Sequence, residues 1–127
     1  MITYFCPACW SVVPEKAAAC PQCGADLSEY DHLSIEQKYI LALHHPISEN
    51  RIIAARFLGE LGSRKALSEF ERMLAEEKEY YVLREVVFAL TRIHDPQARR
   101  LLKAALNHPS YLVSYLAKRY LDPYKEK

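Results

Sequence analysis

After Cys23 the chain contains no further cysteine, and glycine is scarce, with three residues in 127 and none in a phosphate-binding loop. No apolar run approaches the length needed to cross a bilayer. The N-terminus lacks the basic start, apolar centre and small-residue cleavage site of an export signal. A cytoplasmic protein is therefore expected, in a compartment where thiols stay reduced and paired cysteines serve metals more often than disulfides. Charge of one sign is missing too: 17 basic residues face 16 acidic ones, a formal net charge of +1. Bulk electrostatics thus call for neither a nucleic acid nor an acidic membrane surface. The balance is nevertheless uneven. Residues 1–33 hold Lys16 against Glu15, Asp26, Glu29 and Asp31, whereas the C-terminal end carries Arg99, Arg100, Lys103, Lys118, Arg119, Lys125 and Lys127. What the chain does have is apolar content, 50% of its residues. That is enough for one modest domain with a small appendage.

All four cysteines fall in CPACWSVVPEKAAACPQCG, Cys6 to Gly24. A Cys-x-x-Cys turn lets two thiolates converge on one ion, and two such turns supply the four soft ligands of a tetrahedral metal. Cys6, Cys9, Cys20 and Cys23 are the expected ligands. Ile2, Tyr4 and Phe5 predict one short strand and Trp10, Val12 and Val13 another, turning at Pro14-Glu15-Lys16. So few residues cannot bury a stable core, so the module should fold on its metal. Over residues 4–27 the stretch resembles the small zinc-ribbon modules of bacterial and archaeal proteins, with Trp10 where the first knuckle usually has Gly. The resemblance implies one structural Zn²⁺ held by four closed ligands, with rubredoxin-like iron and a redox dithiol as lesser alternatives.

Residues 1–28 read as this ribbon and 29–33 as a polar joint, after which helical periodicity takes over. Ser34-Ile35-Glu36-Gln37 predicts a capping box. Ala42-Leu43-His44-His45-Pro46 recurs as Ala105-Leu106-Asn107-His108-Pro109, and Arg56-Phe57-Leu58 as Arg119-Tyr120-Leu121. Between them Leu58, Leu61, Ala66, Phe70 and Leu74 map onto Leu90, Ile93, Ala98, Leu102 and Leu106. Three helix pairs follow, at about 34–62, 64–94 and 96–121, with a tail at 123–127. The fold class is mainly α, a short α-solenoid with a small N-terminal β ribbon. Arg51 to Gly62 and Leu83 to Ala98 resemble HEAT-like repeats of the short bacterial, lyase-associated type over residues 34–122. That resemblance implies an extended protein-binding surface. Some such arrays serve as bilin lyase subunits and others remove damaged bases, but no working residue of either maps here.

Solenoid ends need covering. The ribbon is expected to cap the first end against Ile35, Tyr39, Ile40 and Leu43, with Trp10 and Leu27 as contacts. The helix from Tyr111 to Leu121 is apolar on more than one face and lacks a following repeat. Trp10, Tyr80, Tyr81, Tyr111, Leu112 and Tyr115 are the candidate partner-binding residues, for a protein partner or a second copy of the chain. Helices beginning near Ile35, Lys65 and Gln97 are expected to line the concave surface. The ribbon with the basic C-terminal end makes nucleic acid the alternative partner. His44-His45-Pro46 and His108-Pro109 share a repeat position, which favours a structural role in ending helices. No nucleophile or oxyanion motif accompanies them, so a non-enzymatic adapter is the expected function.

Overall fold

The computed structural model describes residues 4–121, which leaves Ile2, the start of the predicted first strand, and the tail from residue 122 outside the described residues. A two-residue strand β1, Tyr4–Phe5, pairs antiparallel with β2, Val12–Val13, setting Tyr4 opposite Val13 and Phe5 opposite Val12. Trp10 lies outside the second strand: at φ 64° it occupies the left-handed region and closes the first Cys-x-x-Cys turn. A 3₁₀ turn at Glu29–His32 joins this module to six helices. These are α1 (Ile35–Ala42), α2 (Ser48–Leu61), α3 (Leu67–Glu76), α4 (Tyr80–Arg92), α5 (Pro96–Ala105) and α6 (Tyr111–Leu121). The protein is mainly helical, a short solenoid with a small two-stranded sheet at its N-terminus.

Local chemistry explains the boundaries. Ser34 accepts the Gln37 N–H at 3.1 Å while the Gln37 side chain accepts the Ser34 N–H at 2.9 Å, the reciprocal capping box predicted for α1. Gly62, at φ 72°, ends α2 in the left-handed conformation. Asp95 and Pro96 open α5, the Asp95 carboxylate accepting the Gln97 N–H at 2.8 Å.

The even helices α2, α4 and α6 form one layer and the odd helices the other. The most extensive interface is α2 on α4, whereas α1 and α3 scarcely meet. Buried Ala54, Ala55, Gly59 and Ala89 permit the close approach: a Cβ added at Gly59 would lie 2.6 Å from the Ala89 Cα. A stack whose one layer packs more closely curves toward that layer. This places α2, α4 and α6 on the inner side, and not the helices at Ile35, Lys65 and Gln97 as expected from sequence. Phe70, Leu58, Met73, Leu90, Val86, Val87 and Val113 fill the seam between layers at 1% exposure or less. Two repeat-matched leucines do not join it: Leu61 is 50% exposed and Leu106 40%.

At the first end the expected cover is made only in part. Leu43 is buried in the main core, Tyr39 stacks on Phe57 with ring centroids 4.2 Å apart, and Ile35 stays 62% exposed. Leu27 packs inside the cysteine module. At the far end α6 buries Val113 and Ala117. Where α4 places buried Leu83 and Val87, the equivalent positions of α6 hold Ser114 and Lys118. Polar residues on α6 therefore stand where α4 has buried apolar ones.

Candidate functional site

The four cysteines sit on two knuckles of like geometry. In the first, the Trp10 N–H donates to the Cys6 carbonyl at 2.6 Å and the Cys6 N–H to the Ser11 carbonyl at 2.9 Å. In the second, the Gly24 N–H donates to the Cys20 carbonyl at 2.9 Å and the Cys20 N–H to the Ala25 carbonyl at 3.0 Å. The correspondence continues outward, since the bridge Ala19 to Asp26 repeats the Phe5 to Val12 pairing. Trp10 and Gly24, at φ 64° and 77°, take the same left-handed position. Only glycine adopts it freely, so Trp10 bears a cost of about 1–2 kcal/mol.

These turns bring all four Sγ atoms within 4.8 Å of one another. Cys6 lies 3.7 Å from Cys23 and Cys9 3.6 Å from Cys20. Tetrahedral thiolate sites with metal–sulfur bonds of about 2.3 Å have sulfur–sulfur edges of about 3.8 Å, so the cluster fits one ion. The Ala8 and Gln22 N–H groups approach the Cys6 and Cys20 sulfurs at 3.4 and 3.3 Å, the same contact in each knuckle. Cys9 is drawn down to about 6 by the Ser11 side chain and backbone. Cys23 is pushed up to about 12: the Ala25 N–H lowers it, but burial and the sulfurs of Cys6, Cys9 and Cys20 together outweigh that. Cys6 and Cys20 are buried, Cys9 and Cys23 exposed, and together they can hold a metal ion.

The module meets the solenoid through residues flanking the first knuckle. His45 lies with its ring 4.6 Å from Phe5 and 5.1 Å from Trp10. Its Nδ1 accepts the Ile47 N–H at 3.0 Å, which makes it a neutral imidazole. Burial first, and then the Arg51 charge, hold its pKa below the usual histidine value. His108 makes the same hydrogen bond two repeats later, its Nδ1 accepting the Ser110 N–H at 2.9 Å. Both histidines therefore shape the turn into the next helix, by reaching across the proline.

Arg51 is the residue whose role sequence reasoning missed. It donates to the His45 carbonyl at 2.8 Å and makes a paired contact with Glu77 at 2.8 and 3.1 Å. Glu77 in turn accepts the Lys78 and Glu79 N–H groups. Arginine at the start of the repeat pattern was the available signal; its partner, 26 residues on, had none.

The candidate partner residues separate into groups. Trp10 is engaged with His45 inside the chain. Tyr80 packs against the main core, with its ring 5.3 Å from that of Tyr81. Tyr81, Tyr111, Leu112 and Tyr115 are exposed at 58%, 75%, 52% and 47%. Tyr111 and Tyr115 lie together on α6, their rings 6.2 Å apart. No helix among the described residues is long and apolar enough to cross a membrane.

Six helices stacked as pairs in two layers define a helical-repeat protein, and residues 36–122 match the family of HEAT repeats. The chain belongs to that family. The match does not extend into the four-cysteine module. Comparison with curated proteins and with solved structures finds no match to either.

Proposed function

We propose that the protein is a non-enzymatic adapter or accessory subunit, whose HEAT array binds a larger protein and whose cysteines hold one structural zinc ion. The observation that carries this reading is the large exposed side chains on α4 and α6, Tyr81, Tyr111, Leu112 and Tyr115, which the core does not use. HEAT repeats commonly mediate protein–protein contacts through such surfaces, and tyrosine supplies apolar area with a polar tip. Against catalysis stands the employment of the groups that could perform it. His45, His108 and Asp95 each accept a backbone N–H, and four thiolate ligands would leave no open position on the metal. Zinc suits a closed set of four sulfurs and needs no redox partner.

Two measurements test the reading. Metal analysis of the purified protein should find one colourless zinc per chain, and a red iron protein or a metal-free one would overturn that half. Affinity capture from the native cell should retain a defined protein, lost when Tyr111, Leu112 and Tyr115 are made polar. Capture of nothing, or of nucleic acid alone, counts against an adapter.

A further inference from the structure

The inner layer carries an arginine pair that the fold leaves underused. Glu85 of α4 is 4% exposed and faces α2. Arg56 of α2 reaches it only at 3.4 and 3.5 Å, and Arg84 at 4.0 Å. Unstrained charge-assisted bonds are about 2.8 Å, so two guanidinium groups share one carboxylate loosely and keep donors to spare. The Arg84 Nε is shielded from solvent and has no hydrogen-bond partner. This group is not loose, however. It lies over the rings of Tyr81 and Phe88, 5.1 and 5.8 Å from their centroids, and Phe88 is braced edge-on by Tyr120 at 5.4 Å. Aromatic faces thus orient a cation whose hydrogen-bonding capacity is largely unspent.

The charge of the two helices flanking this pair is one-sided. α4 and α6 together contain Arg84, Arg92, Lys118 and Arg119, against Glu85 as their single acid, which is buried. Arg92 stands one turn beyond Phe88 and is exposed. Tyr81 puts apolar area against Arg84, and Leu112 and Tyr115 expose more on the neighbouring helix. Arginine and tyrosine around a pre-oriented anchor is the composition of a protein-binding hot spot. A phosphate track would need the positive surface to continue, and α2 interrupts it with exposed Glu49 and Glu60.

We infer that the α4–α6 face binds an acidic protein segment in which Asp or Glu stands next to apolar side chains, its carboxylate taking the exposed outer guanidinium donors of Arg56 and Arg84. The inference rests on the adapter reading and assigns that function a surface and a ligand chemistry. Random peptides of about 12 residues displayed on phage, selected on the full-length protein, test it, with anisotropy measurements on the best peptide. Enrichment of Asp or Glu beside Leu, Phe or Trp is expected, with affinity falling as salt rises. Affinity should drop about tenfold in Arg56→Gln/Arg84→Gln. Because that pair contacts a buried carboxylate, the exposed changes Arg92→Ala and Tyr81→Ser provide the second reading, each expected to weaken binding about threefold. Peptides without acidic enrichment, acidic peptides indifferent to all these substitutions, or displacement of the peptide by single-stranded RNA of matched length would overturn it. A protein captured from cells through Tyr111 and Leu112 alone, with Arg84 dispensable, would leave the adapter reading standing while removing this one.

Discussion

Gly59 and Trp10 show how much one side chain decides. At Gly59 a Cβ would stand 2.6 Å from the Ala89 Cα and 2.8 Å from its Cβ, a clash with backbone that no rotamer relieves. Gly59→Ala should therefore push α2 off α4 and lower the stability measured by urea denaturation by about 1–3 kcal/mol, despite the better helix propensity of alanine. An unchanged midpoint would mean that α2 and α4 move apart at no cost. At Trp10 two effects compete. Trp10→Gly relieves a left-handed backbone by about 1 kcal/mol but removes the ring that meets His45, worth about 2 kcal/mol of burial and aromatic contact. The expected result is full metal content with a slightly lower thermal midpoint. A raised midpoint would show that backbone strain outweighs the contact. The Cys-x-x-Cys spacing made the four-cysteine cluster legible, and Trp10 stood out as a departure from the knuckle pattern. What Trp10 touches was not legible, because His45 lies 35 residues on and only the folded chain joins them.

At the scale of elements, turns in this protein are built by side chains that reach over prolines. His45 and His108 do with an imidazole what Asp95 does with a carboxylate. A protonated Nδ1 could not accept the Ile47 N–H, and the folded pKa of His45 lies below the ordinary value of 6.5. The neutral ring is thus the one the fold favours. Its contribution is fully present above pH 6.5 and is lost as pH falls through the folded value. An NMR titration of the His45 ring should show a midpoint under 6.5, and His45→Asn, whose amide oxygen accepts the same N–H without titrating, should abolish this part of the acid sensitivity. A midpoint at or above 6.5 would remove the argument. Helix starts and stops of this kind were largely readable, since Ser34, Gly62, Pro96 and the repeated His-Pro act through neighbours in sequence. The exposure of Leu61 and Leu106 was not, because repeat equivalence marks a position without saying whether a neighbour covers it.

At the scale of the molecule, two cores coexist among the described residues, one lining the stacked helices and one built around Cys6, Val13 and Cys20. They meet at His45, which Arg51 ties through its carbonyl to Glu77 and the turn between α3 and α4. Removing the metal with a chelator should therefore unfold the small module while leaving most helical ellipticity intact. Trp10 emission should shift to the red as its ring leaves His45. Concerted loss of helix and module would instead show that the solenoid depends on the metal to fold. The sequence by itself determined the parts that depend on spacing: four thiols on two knuckles, six amphipathic helices, and the caps that separate them. Tertiary structure alone decided which layer lies inside and that Arg56, Arg84 and Glu85 converge. Those outcomes turn on contacts between residues far apart in the chain, whose free energies arise only when close packing brings them together.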